Sequence, residues 1–175
     1  MLTGDLVTLR GIERDDFPAL QSWAQAYDTW PEVNVQPLTT KTIADTLAEY
    51  DDKTSARFRS DDTKVPFAVT VADELVGSIG LWGIDQFNRG GHLGITIGPS
   101  YRGKGYGTDA CRVLLRFAFV DRGLHRVQLE TLSSNLAGQR AYAKAGFVVD
   151  GVLRQSAWAR GELVDEVIMS VLSTD

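Results

Sequence analysis

The chain has one cysteine, Cys111, among 175 residues. That excludes an internal disulfide and any zinc site built from several thiolates. Cys111 lies inside an apolar helical pattern, so it reads as a small core hydrophobe rather than a nucleophile. No run of about 18 apolar residues occurs, and the opening MLTGDLVTLR lacks a basic segment followed by an apolar one. Neither a spanning helix nor a secretory signal is expected, and the expected location is cytoplasmic. Excess basic charge is also missing: the net charge of −5 argues against a surface that grips nucleic-acid phosphates. There are no repeats, low-complexity tracts or linkers, and 43% hydrophobic with 23% charged residues is ordinary globular composition. A single domain over 1–175 is expected, with no metal, no membrane and no nucleic-acid partner.

The charge that is present is unevenly placed. Up to Asp85 there are 15 acidic and 7 basic residues, and beyond it 8 acidic and 11 basic. A basic C-terminal half suits an anionic cofactor, and an acidic N-terminal half suits a cationic substrate.

Hydrophobic periodicity gives the element order. DLVTLRGI, Asp5 to Ile12, alternates at period two and predicts an opening strand. RDDFPALQSWAQAY predicts a helix with an Asp cap, a proline in its first turn and Phe17, Leu20, Trp23 and Ala24 on one face. LTTKTIADTLAEYDD predicts a second helix, capped by Thr39 or Thr40, with Ile43, Leu47 and Tyr50 inward. KVPFAVTVADELVGSIGLWGI reads as two strands joined at Asp73-Glu74, and GGHLGITIGP as a third. A helix from about Gly105 to Asp121, the strand HRVQLETL, a short helix from Asn135 to Gly146 and two strands around Arg160-Gly161 complete the chain. This order predicts an α/β (α+β) mixed sheet rather than a regular doubly wound fold.

The stretch GPSYRGKGYGTDACRVLLRFAF concentrates Gly98, Gly103, Gly105 and Gly107 with two cations, Arg102 and Lys104, ahead of an amphipathic helix. Glycines permit positive φ and close approach of backbone N–H groups. A row of N–H groups turning into a helix N-terminus forms an anion site, to which Arg102 and Lys104 add charge. The spacing is neither that of a Walker A loop nor that of a dinucleotide fingerprint.

RGKGYG resembles the acetyl-CoA pyrophosphate loop of the GNAT N-acetyltransferase superfamily, with Arg102, Gly105 and Gly107 in its key places. Some thirty residues on, NLAGQRAYAKAGF resembles the second signature of that family through Asn135, Tyr142, Lys144, Gly146 and Phe147. Gly138 departs from its usual Ala or Ser. The ends of the chain look like the branch containing ribosomal-protein N-terminal acetyltransferases and spermidine N-acetyltransferases. The resemblance implies a mostly antiparallel sheet of about seven strands flanked by about four helices, with a splayed cleft for acetyl-CoA (coenzyme A).

It also implies direct acetyl transfer to an amine, with no covalent enzyme intermediate. Arg102, Gly103, Lys104, Gly105, Tyr106, Gly107 and Thr108 would hold the pyrophosphate; Thr96, Ile97 and Asn135 would meet the pantetheine arm. Tyr142 matches the usual general acid, the alternative being a core aromatic. His92 stands where relatives often carry glutamate and is the candidate base; the alternative is a surface or hydrogen-bonded strand histidine. Glu32 and Asp85 are candidates for binding a cationic substrate, and Trp30, Trp82 and Trp158 for walling its pocket. His125 is assigned a structural role. The acceptor is expected to be a small cationic amine, polyamine or aminoglycoside-like, or a protein N-terminus. A non-catalytic acyl-CoA sensor, an enzyme using a larger donor such as succinyl-CoA, and a nucleotide-binding protein are the alternatives. A homodimer is the default oligomer.

Overall fold

The computed structural model describes residues 1–26, 41–52 and 61–175. Its elements are β1 (Leu2–Thr3), β2 (Thr8–Arg10), α1 (Phe17–Ala24), α2 (Ile43–Asp51), β3 (Val65–Val71), β4 (Glu74–Asp85), β5 (Gly90–Ile97), α3 (Tyr106–Arg116), β6 (Arg126–Leu132), α4 (Leu136–Ala145), β7 (Val148–Ala159) and β8 (Glu162–Leu172).

The opening segment is not the single strand its alternation predicts. The Gly4 N–H donates to the Val7 carbonyl, and the buried Asp109 carboxylate accepts the N–H groups of Asp5, Leu6 and Val7 at 3.3, 2.7 and 2.9 Å. Amides taken by a side chain cannot join a ladder, so two short strands replace one long one. Among the described residues the sheet therefore has eight strands, against the seven expected.

Smaller departures have equally local causes. The β3–β4 turn is made by Ala72 and Asp73, both at positive φ, one residue earlier than expected. Thr42 caps α2 in a reciprocal box with Asp45, whereas Thr39 and Thr40 lie outside the described residues. Asp16 does not cap α1; its carboxylate accepts the Glu13 N–H and two bonds from Arg10. The helix predicted to Asp121 is α-helical to Arg116 and ends in a π-helical turn, Phe117–Asp121.

The sheet order is β1-β2-β3-β4-β5-β6-β8-β7. Every neighbouring pair is antiparallel except β5 and β6, which are parallel and joined across α3. That pair is bonded only along Gly90–His92 against Arg126–Gln128. Beyond it β5 stays with β4 as far as Ile97, while β6 stays with β8 as far as Leu132. The two strands part after His92, and the gap between them positions the site.

α3 packs its inward face, Ala110, Val113 and Leu114, and the π-helical turn its Ala118, onto sheet residues such as Leu81, Leu93 and Val127, all buried. Cys111 joins this core with no exposure, and burial pushes its thiol up to about 12. It is an inert core side chain. Among the described residues no helix is long and apolar enough to cross a membrane.

Candidate functional site

The four glycines ahead of α3 serve different ends. A Cβ on Gly98 would lie 2.7 Å from the Trp23 ring, so this glycine lets α1 pack against the end of β5. Gly103 and Gly105 hold φ values of +76° and +85°, which favour glycine over any side-chain-bearing residue. Gly107 is ordinary helical backbone, where an added Cβ would come 3.6 Å from Ile97.

Gly105 is the N-cap of α3 and brings no capping side chain. The first helical bond runs from the Asp109 N–H to the Gly105 carbonyl at 3.1 Å, so the amides of Tyr106, Gly107 and Thr108 precede the helical ladder. They face a cleft of about 410 Å³ between the end of β5, the glycine loop and α4. Thr96, Ile97, Arg102, Gly103, Gly105, Tyr106, Gly107, Thr108 and Asn135 line this cleft, as does Tyr142. Arg140 and Lys144 line it as well, and no carboxylate does among the described residues. Unpaired amides, three cations and no anion among the described lining residues make this cleft suited to an anionic group.

Two expectations need correction. Lys104 does not line the cleft; its ammonium lies over the Tyr101 ring, 5.5 Å from the centroid, and Arg140 and Lys144 stand in its place. The Asn135 amide is largely committed to structure: Oδ1 accepts the Gly138 N–H and Nδ2 donates to Thr131 Oγ1, both at 3.0 Å. This explains glycine at 138, where a Cβ would lie 2.5 Å from that amide.

Tyr142 is half-buried and packs edge-on against Phe147, with ring centroids 6.1 Å apart. Burial, with a smaller contribution from nearby Cys111, raises its phenol above the usual value, so it keeps its proton through neutral pH.

A second cleft of about 350 Å³ opens beside the first. Ile12, Lys64, Ser78, Trp82 and Gly94 contribute to its walls, and it shares Ile95 and Thr96 with the first cleft. Trp82 is 48% exposed and stacks on His92 across the β4–β5 pair, with ring centroids 4.2 Å apart and planes at 25°. His92 Nδ1 is buried with no hydrogen bond, 3.5 Å from Glu130 Oε1.

The remaining predicted residues fall elsewhere. Asp85 lines neither cleft: its carboxylate accepts the N–H groups of Phe87 and Asn88 and the Asn88 side-chain amide, shaping the β4–β5 turn. Those bonds hold it below the usual carboxylate range. Trp158 is 71% exposed on β7, outside both clefts. Trp30 and Glu32 lie outside the described residues.

Arg140, Lys144 and Glu130 are the residues whose site placement the sequence reading did not assign. A usable signal was there: Arg140 and Lys144 stand four apart on α4, and Glu130 alternates with the core residues Val127 and Leu129 on β6.

Comparison with known proteins assigns the chain to a family. The model of an acetyltransferase (GNAT) domain matches residues 7–148, most of the chain, and the chain belongs to that family. It is an enzyme of the acetyltransferase class, and acetyl-CoA is its cofactor. An uncharacterized N-acetyltransferase p20 of Bacillus licheniformis is 24% identical over 169 residues, 97% of this chain and 94% of that one. A putative ribosomal N-acetyltransferase, YdaF of Bacillus subtilis, is 33% identical over 101 residues, 58% of this chain and 55% of its own. The spermidine N(1)-acetyltransferase of Escherichia coli is 27% identical over 111 residues, 63% and 60% of the two chains. The fold is that of the Vibrio cholerae spermidine N-acetyltransferase solved with CoA and spermine, with a TM-score of 0.85, 22% identity and coverage of 97% and 96%.

Proposed function

We propose that the chain moves an acetyl group from acetyl-CoA to a primary amine by direct attack, with the donor in the first cleft and the amine in the second. The observation that carries this reading is that both clefts end on Ile95 and Thr96, where β5 leaves β6. Bound there, the cofactor supplies an acetyl group activated as a thioester. The amides of Gly103, Gly105, Tyr106, Gly107 and Thr108 bind its pyrophosphate with the side chains of Arg102, Arg140 and Lys144. The β6-facing backbone of Thr96 and Ile97, free of ladder bonds to β6, orients the pantetheine arm. Tyr142 Oη holds a proton at the cleft wall, the group a departing thiolate needs.

An amine of the lysine type has a pKa of about 10.4 and must lose a proton before it attacks. His92 is the base: its Nδ1 is buried and its Nε2 is the nitrogen left to accept that proton. The acceptor is a small cationic amine, a polyamine or an aminoglycoside-like compound, or a protein N-terminus. The acidic first half of the chain and the spermidine and ribosomal relatives support that class.

Thiol release from acetyl-CoA, run against polyamines, aminoglycosides, amino-acid amides and N-terminal peptides with calorimetry in parallel, tests the reading. Turnover on one amine class is expected. Tight cofactor binding without turnover on any amine would favour a non-catalytic acyl-CoA-binding module or another acyl donor. Replacing His92 with Gln should flatten the acid limb of the pH–rate profile, and a preserved limb removes His92 as the base.

A further inference from the structure

We propose that Glu130 is a positioning residue for His92: its carboxylate takes the Nδ1–H and leaves Nε2 as the ring nitrogen able to accept a proton. The inference rests on the reading of His92 as the base and deepens it.

His92 is the last residue of β5 paired with β6, directly opposite Gln128. Side chains alternate along a strand, so Gln128 and Glu130 share the face that His92 occupies, and Glu130 is the next such residue past the point of parting. Its Oε1 accepts a hydrogen bond from Gln128 Nε2 at 3.0 Å and sits 3.5 Å from His92 Nδ1. That nitrogen has no solvent access and no other partner among the described residues. A buried ring nitrogen beside a carboxylate is satisfied by carrying the proton, and closing a gap of a few tenths of an ångström completes the bond.

On the opposite side the Trp82 ring lies against the imidazole and limits its rotation. A Cβ on Gly83 would lie 3.3 Å from His92 Cδ2, so the next residue of β4 also leaves the ring its place. The ring is thus held by β4 and aimed by β6. When Nε2 takes a proton from the incoming ammonium, the imidazolium keeps its Nδ1–H against Glu130, whose charge stabilises that form.

The charges around His92 are few. β4 presents no charged side chain at the stacking position, where Trp82 stands. β6 presents Glu130 and, on the same face, Arg126, whose guanidinium is bound to Asp150 and Ser170. Lys64 lines the second cleft beyond Trp82. Glu130 is the carboxylate within ion-pair distance.

The test needs no known acceptor. The full chain contains two histidines, so ¹⁵N-detected imidazole spectra are simple, and His125, whose Nδ1 lies 3.0 Å from Ser173 Oγ, serves as the internal control. In its neutral form wild-type His92 should be the Nδ1–H tautomer; the Nε2–H tautomer overturns the inference without any variant. Glu130→Leu, which keeps a side chain of similar size and removes the acceptor, should shift neutral His92 toward the Nε2–H tautomer while the His125 signals stay put. A tautomer ratio that does not change also overturns it.

With an amine found active, Glu130→Leu should lower kcat while KM for acetyl-CoA holds, and Glu130→Gln, whose amide oxygen can still accept the Nδ1–H, should restore part of it. A merely structural role would leave the His92 tautomer unchanged. If His92→Gln preserves the acid limb of the pH–rate profile while the tautomer behaves as stated, the base reading fails and the His92–Glu130 contact stands. If His92→Gln removes the limb and Glu130→Leu leaves the tautomer unchanged, the positioning role alone fails.

Discussion

The two clefts that meet at Ile95 and Thr96 are made of different material. The first is built from backbone amides at a helix start, two left-handed glycines and three cations carried by one loop and one helix. The second is built from side chains and backbone of separate segments, Ile12, Lys64, Ser78, Trp82 and Gly94, and the His92 and Glu130 pair stands behind Trp82, outside both linings. Backbone geometry recognises a group common to every reaction the enzyme performs, whereas a wall of side chains can change one residue at a time. On the proposed assignment the donor side is generic and the acceptor side particular, consistent with a fold that does not by itself fix the substrate.

That contrast can be broken at several points. The largest effect should come from Asp109→Ala, which removes three bonds to the opening segment and leaves the buried Val7 amide without its acceptor. A loss of about 3 kcal/mol is expected in urea unfolding, since a bond to a charged group is worth roughly 1.5–3 kcal/mol and a buried unsatisfied amide costs roughly 1–3 kcal/mol; unchanged stability would show that α3 is held without this carboxylate. Tyr142→Phe should come next, lowering kcat by roughly 10² while leaving acetyl-CoA affinity nearly intact. An unchanged rate removes Tyr142 as the acid.

Gly105→Val forces a β-branched residue to a φ of +85° at the mouth of the anion site. Strain of 1–3 kcal/mol should weaken acetyl-CoA binding by about tenfold in calorimetry, with acceptor KM unaffected. Trp82→Ala should do the converse, raising acceptor KM about threefold to tenfold, as expected for a lost aromatic contact, at constant cofactor affinity. If both variants moved the same constant, the division between the clefts would be wrong.

Much of the donor side was legible in the sequence because its parts are contiguous. A glycine loop, a helix start and an asparagine cap are local signals, and the structure places a left-handed turn, the α3 start and the α4 cap where they predict. The departures are long-range. Asp109 dissolves the alternation of Asp5 to Ile12 from more than a hundred residues away. Lys104 turns to Tyr101 because the loop aims it outward, and Arg140 and Lys144 reach the cleft only once α4 packs beside α3. On the acceptor side, His92 and Glu130 are 38 positions apart and meet through one parallel pairing that no local pattern encodes.

The narrow join between β5 and β6 has a mechanical consequence. Three residue pairs stitch one plate, β1 to β5, to another, β6 with β8 and β7, along the sheet. Beyond that seam the two plates are open to each other, and whatever lodges in the mouth touches both. Since Ile95 and Thr96 belong to both clefts, an occupant of the first becomes part of the wall of the second. On the proposed assignment the expected kinetic order is donor before acceptor, and initial-rate patterns showing random addition would count against that shared wall.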